Sequence, residues 1–263
     1  MITQKSYRTQ AVVLKYIPLW ESDRLLTLYT PDSGKLRVVA KGVRRAKSKF
    51  AGHLEPLTHV TLTVTEGASL GTITDAQSIQ SFKTLKSDLQ AISIGIYLAE
   101  LLDGFSSDNL SNPELFELFV NTLKHLDENQ YPMLLMRYFE AKLLVYSGFG
   151  PELYICVMCG DLLNPINHYY SLSDGGILCP TCKLNATTVT HPISMNTIKV
   201  IRYLQREKYN DISKLTLSAS ILKETEKILR DYIRYILEKD LKSAAFMDIA
   251  ISDSMCIDCS TGV

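Results

Sequence analysis

Two different rhythms of apolar residues divide the chain. Up to residue 80, runs rich in β-branched and aromatic residues recur at 11–14, 25–29, 36–40, 60–64 and, more weakly, 70–79, the pattern of short strands. Pro31-Asp32-Ser33-Gly34 lies between the second and third runs. It reads as a turn, because proline presets one torsion and glycine supplies a positive φ. Five such strands predict a small closed barrel or a twisted sheet.

Past residue 80 the spacing becomes helical. Apolar residues at 89, 92, 96, 98, 101 and 102 predict a helix over 87–102, with Ser87 or Asp88 as its cap. Asn112-Pro113-Glu114 is a helix start, with a capping side chain, proline in the first turn and an acid against the dipole. That helix is expected to run to about residue 127. A third covers 133–146 and stops at Gly148, Gly150 and Pro151, and two more cover 194–206 and 218–238. The pattern predicts a multidomain α+β protein: a β domain over 1–80, a helical domain in two parts (81–152 and 192–250), an insert over 153–191, and a tail from 251 to 263.

With 46% apolar and 21% charged residues the chain has material for a real core, which excludes an intrinsically disordered chain. The opening MITQKSYRTQ has no apolar core of a secretory signal, so a cytosolic protein is expected. The most apolar stretch, 91–102, is too short to span a bilayer, and no membrane partner is expected. Six cysteines in a reducing compartment read as metal ligands or redox groups rather than disulfides.

Four of them carry the sharpest local signal. Cys156-Val-Met-Cys159 is followed, after nineteen residues, by Cys179-Pro-Thr-Cys182. Two such knuckles supply four thiolates that can close a tetrahedron around Zn²⁺, one ion per chain. Residues 169–172 and 177–178, on either side of Asp174-Gly175-Gly176, can form the hairpin of a zinc-ribbon-like unit. A closed four-sulfur site leaves no open position for substrate, so its role would be structural. Ordinary buried or redox thiols are the competing reading, and His168 and Asp174 are nearby alternative ligands. Cys256-Ile-Asp-Cys259 has no matching pair; inert thiols on a tail, a redox pair, or a site shared with another chain all fit it.

The charge total is zero, 28 Lys+Arg against 28 Asp+Glu, but the distribution is not even. Residues 1–80 carry 11 basic and 6 acidic side chains, a net of +5, which leaves −5 for the remainder. Seven cations, Lys35, Arg37, Lys41, Arg44, Arg45, Lys47 and Lys49, fall within fifteen residues that contain no acid. Strand alternation puts Lys35, Arg37, Val39 and Lys41 on one face, and the remaining cations continue onto a loop. Near Tyr16, Trp20, Tyr29 and Phe50, these cations suit a groove that follows a phosphate backbone and stacks bases. A solvated basic loop beside core aromatics fits the same residues.

No phosphate-binding G-x-x-x-x-G-K-[ST] loop, H-E-x-x-H, G-x-S-x-G or G-x-G-x-x-G occurs, and the five histidines show no catalytic pairing, so no enzyme is expected.

Four longer strings stand out: Thr9-Gln10-Ala11-Val12-Val13-Leu14, then Glu21-Ser22-Asp23-Arg24-Leu25-Leu26-Thr27-Leu28-Tyr29-Thr30, then Ala40-Lys41-Gly42-Val43-Arg44-Arg45, and Arg137-Tyr138-Phe139-Glu140-Ala141-Lys142-Leu143-Leu144 leading to Pro151-Glu152-Leu153. Together they resemble the RecO family of bacterial recombination mediators. The resemblance implies an N-terminal OB-fold barrel that binds single- and double-stranded DNA, annealing of complementary strands, and, with RecR, help in loading RecA onto DNA coated with single-stranded DNA-binding protein. It implies DNA contacts at Lys35, Arg37, Lys41, Arg44 and Arg45, and a structural zinc at Cys156, Cys159, Cys179 and Cys182. It also places Arg137 in the region that receives the acidic C-terminal tail of the single-strand-binding protein, and the protein at the nucleoid. Cys256 and Cys259 depart from the family pattern. The competing class is a zinc-containing protein-interaction adaptor, in which the acidic half binds partners and the basic loop is incidental.

Overall fold

The computed structural model describes residues 5–128 and 132–260, the side chains of Pro132 and of residues 252–260 excepted. The chain forms two compact units, Met1–Gln130 with Leu241–Val263, and Tyr131–Asp240.

In the first unit, strands β1 (Ser6–Leu19), β2 (Asp23–Thr30), β3 (Gly34–Ala40), β4 (His59–Thr65) and β5 (Gly71–Gln80) close into a barrel of order β1-β2-β3-β5-β4. β1 is much longer than its apolar run because it serves two partners. Its residues 6–12 pair with β4, and its residues 12–19 pair with β2 across a register shift between Val13 and Lys15. The added residues are largely polar and solvent-facing, so they carry no apolar signal. Alternate side chains, among them Ala11, Val13, Leu26, Leu28, Val38, Val60, Leu62 and Ile73, fill the interior.

Closure rests on one parallel contact, Val38 opposite Gly71 and Val39 opposite Thr72. A Cβ at Gly71 would lie 2.6 Å from Val64 Cγ1 of β4, closer than side chains approach, and 3.4 Å from Val38 Cγ1 of β3, an ordinary contact, so a side chain here would crowd the β4 face of the barrel interior. A 3₁₀ turn (Ala51–His53) precedes β4, and helices α1 (Lys83–Ser87), α2 (Leu89–Phe105) and α3 (Pro113–Asp127) follow the barrel. Asp88, rather than Ser87, caps α2, its Oδ1 accepting the Ala91 N–H at 2.7 Å, and Asn112 caps α3 at 3.1 Å from Leu115 N.

The second unit opens with α4 (Pro132–Tyr146). A three-stranded sheet of order β7-β6-β8 follows, built from β6 (His168–Ser171), β7 (Gly176–Leu178) and β8 (Thr190–Ile193), with the one-turn helix α5 (Pro180–Lys183) between β7 and β8. Helices α6 (Met195–Arg206), α7 (Tyr209–Ile212) and α8 (Ala219–Leu237) complete it, α6 and α8 capped by Ser194 and Ser218. The chain then returns to the first unit as α9 (Lys242–Ser260). Glu100 of α2 accepts the backbone N–H groups of Lys242 at 3.1 Å and Ser243 at 2.8 Å, capping α9, while Met247, Ala250 and Ile251 are buried. The backbone stays helical through Ser260, across the segment read from sequence as a tail.

Gly71→Val is expected to lower the thermal midpoint by the equivalent of about 1–3 kcal/mol, the cost of overpacking. Gly52→Ala, where nothing lies within 4 Å of the new carbon, should change stability by no more than about 0.5 kcal/mol. Circular dichroism melts of the two variants check this.

Candidate functional site

The barrel's cationic edge is assembled by strand register. Arg24 pairs with Ala40, which sets the β1–β2 hairpin tip beside the segment that leaves β3. Three hydrogen bonds then clip them together: Gly42 N–H to Asp23 Oδ1 at 2.7 Å, Arg44 N–H to the Ser22 carbonyl at 3.0 Å, and Arg44 Nη1 to the Trp20 carbonyl at 3.5 Å. Gly42 adopts φ +65°, the left-handed turn conformation that glycine tolerates. The Gly42 N–H holds the Asp23 carboxyl below the ordinary carboxylate range against the effect of burial, helped by the Ser22 hydroxyl and by the charges of Arg45 and Lys41.

Apolar residues anchor this loop and leave its cations outside. Val43 is buried in the barrel core and Phe50 packs against it, while Lys41, Arg44, Arg45, Lys47 and Lys49 are exposed. Among the described residues none of these five makes an ion pair within 4 Å.

Lys35 and Arg37 are placed differently from that expectation of one open basic face. Lys35 is buried, its ammonium donating to the Asp103 carbonyl at 2.8 Å and pairing with the carboxylates of Asp103 at 3.4 Å and Asp108 at 3.7 Å. Arg37 is half-exposed and pairs with Asp108 at 3.7 Å. The C-terminal end of α2 and the segment after it bring those acids, a long-range contact that strand alternation does not encode. Burial pushes the Asp103 carboxyl up, but the hydrogen bond and charge of Lys15 and the charge of Lys35 outweigh it and leave it below its ordinary range.

The aromatic candidates also separate. Tyr29 is core, and Phe50 and Tyr16 pack on the core, with the Arg24 guanidinium 3.7 Å above the Tyr16 ring. Trp20 at the hairpin tip is 76% exposed.

In the second unit the four expected cysteines converge, all four sulfurs lying within 4.8 Å of one another. A tetrahedron with metal–sulfur bonds of ~2.3 Å has edges of about 3.8 Å, so the cluster is close to the size a metal requires. The first knuckle turns through Gly160 at φ +77°, whose N–H bonds the Cys156 carbonyl at 2.8 Å. Cys179 caps α5, its sulfur accepting the Cys182 N–H at 3.4 Å, and the Cys179 N–H points at the Cys156 sulfur at 3.3 Å. Burial opposes ionisation of Cys156, yet the N–H groups of Cys159, Cys179 and Met158 bring its pKa down to about 6. Cys182 is pushed up to about 12 by hydrogen bonding to Cys179, by burial and by the neighbouring sulfurs. Cys156 ionises readily while Cys159 and Cys182 are held above the ordinary thiol range, the behaviour of a donor set that needs a cation to be fully ionised. His168 and Asp174 stand outside the cluster: His168 bonds the Asn164 carbonyl at 2.8 Å, and Asp174 accepts from Ser171 and Thr188.

Family models described as Recombination protein O N terminal and Recombination protein O C terminal match residues 1–82 and 86–245. The chain belongs to the RecO family. Relatives named DNA repair protein RecO include one from Dehalococcoides mccartyi strain CBDB1, 38% identical over 94% of this chain and 97% of that protein. Another, from Roseiflexus sp. strain RS-1, is 36% identical over 92% of this chain and 85% of its own length. A third, from Thermoanaerobacter sp. strain X514, is 32% identical over 92% and 96%. No helix of this RecO-family chain is, among the described residues, long and apolar enough to cross a membrane.

One expectation drawn from the RecO resemblance changes. Arg137 on α4 has no exposed side-chain surface, its guanidinium pairing with Glu140 at 2.9 Å and with Glu226 of α8 at 3.5 Å. A buried guanidinium with two carboxylate partners ties α4 to α8, and its side chain is not on the surface. The i,i+3 spacing of Arg137 and Glu140 was legible, whereas Glu226, 89 positions away, was not. The side chains of Cys256 and Cys259 lie outside the described residues.

Asp103 supplies a pH test. Its folded-state pKa lies below the unfolded value of about 3.9, so the stability it contributes is complete above that pH and is lost as pH falls through the folded value. Asp103→Asn is therefore expected to be less stable than wild type at pH 7, with the gap narrowing by about pH 3. Urea titrations at the two pH values check it; an equal gap at both would contradict the assignment.

Proposed function

We propose that this chain is a non-enzymatic mediator of DNA repair and recombination. It binds single- and double-stranded DNA through an OB-fold barrel, anneals complementary strands and, with RecR, assists RecA loading onto DNA coated with single-stranded DNA-binding protein. The observation that carries this reading is the loop of five exposed cations, Lys41, Arg44, Arg45, Lys47 and Lys49, held outward by Val43 and Phe50. Phosphate contacts of this kind are independent of sequence, which suits a factor that must act wherever DNA is damaged. Annealing brings two polyanions together, and clustered cations lower that repulsion without covalent chemistry. Lys35 and Arg37 support the loop more than they contact DNA, their charges being largely met by Asp103 and Asp108. The site of action is the bacterial cytoplasm, at the nucleoid.

The four-cysteine cluster is proposed to hold one structural Zn²⁺, since a compact all-thiolate set suits that ion and leaves no open position. The adaptor reading has one observation in its favour: Leu162, Leu184 and Val189 of the cysteine-bearing unit are 75–79% exposed. It predicts partner binding there and weak, incidental DNA affinity.

Replacing the five loop cations together with glutamine separates the two readings. Each phosphate contact contributes about −0.7 to the slope of log K against log salt for single strands and about −0.9 for duplex. The variant should flatten the slope by about 3.5 units for single strands and about 4.5 for duplex, and lose affinity for both DNA forms while keeping its melting curve. Unchanged affinity and slope would sink the DNA-binding reading.

For the metal, elemental analysis of protein purified without chelator should give about one zinc per chain, and Cys156→Ser with Cys179→Ser should lower the thermal midpoint. Far less than one zinc, or an unchanged midpoint, would overturn the assignment.

A further inference from the structure

We propose that Trp20 is a base-stacking residue that gives the barrel's cationic edge a preference for unpaired over paired DNA; this deepens, and rests on, the DNA-binding reading above. Trp20 is the single tryptophan of the chain and sits at the β1–β2 hairpin tip with 76% of its surface exposed. Its backbone is at φ +50°, a strained region that bulky side chains rarely occupy. The turn itself would be better served by asparagine or glycine. Neither burial nor turn geometry accounts for an indole at this position.

Its neighbours supply what a stacked nucleotide needs. The Arg44 guanidinium donates to the Trp20 carbonyl, and Arg44 begins the run of free cations that continues to Lys49. Ile17, on the same hairpin, is another apolar side chain left 55% exposed. Phosphates held by the loop leave their bases to pack on the indole, a contact tolerant of sequence because every base has a π face. The bases of a duplex are already stacked and paired, so they gain nothing from Trp20. The cations therefore bind both forms of DNA, and the indole discriminates between them. Tyr16, Tyr29 and Phe50, committed to the core or to Arg24, cannot substitute.

The single tryptophan makes the test direct. The full chain is titrated with oligothymidylate and with a blunt duplex of equal length at one salt concentration, following intrinsic fluorescence together with anisotropy of labelled DNA. Oligothymidylate should quench the emission in parallel with binding, and the duplex should bind with much less quenching. Trp20→Ala should weaken oligothymidylate binding roughly 5- to 100-fold and lower the ratio of single-strand to duplex affinity, with Trp20→Phe restoring part of the loss. Binding of oligothymidylate with unquenched emission and a wild-type affinity ratio in Trp20→Ala would overturn the stacking role alone. No binding of either DNA by the wild-type chain would overturn the DNA-binding reading and this one with it.

Discussion

The parallel contact of Val38 and Val39 with Gly71 and Thr72 is the constraint on which the first unit depends. It turns five strands into a closed barrel with an interior too narrow for anything but small and medium apolar side chains. Once the inside is filled, charged residues at the strand ends have only the outside to occupy. Val43 and Phe50 are drawn to the core, and the five cations around them are held in water. Because Arg24 stands opposite Ala40, that loop and the β1–β2 tip become one surface, fastened by the Asp23 carboxylate on the Gly42 N–H. The closure of an apolar interior thus fixes which side chains of this edge face water.

Charge also has to be counted by location. The whole chain sums to zero and its first eighty residues to +5, but neither figure describes the proposed DNA-binding surface. Asp103 and Asp108 absorb Lys35 and much of Arg37, so the strand contributes less than its sequence promises and the loop contributes nearly all. On the proposed reading these two cations contribute little to DNA binding, because carboxylates already meet their charge. The exposed loop, where solvent screens the mutual repulsion of the cations, gains most when phosphates arrive.

Features set by neighbours in sequence were legible: the five strand cores, the cap Asn112, the α2 cap to within Ser87 or Asp88, and the cysteine knuckles, whose thiols lie three residues apart. Features set by distant contacts were not. β8 is a four-residue strand with a central proline and shows no alternation until β6 pairs with it. α9 owes its start to Glu100, more than 140 residues earlier. Arg137 looked available because it sits in a recognisable string, but Glu140 and Glu226 enclose it. Trp20 was visible as one aromatic among four; its exposure singled it out, and exposure is a property of the folded barrel.

The central claim is that DNA is met by the hairpin tip and the loop after β3. Amide hydrogen exchange of the full chain, free and saturated with single-stranded DNA, tests it most directly. Slowed exchange should concentrate in residues 19–24 and 41–50, because the DNA covers the Asp23–Gly42 clip and steadies it. Slowed exchange confined to the cysteine-bearing unit, with residues 19–24 and 41–50 unchanged, would contradict the account.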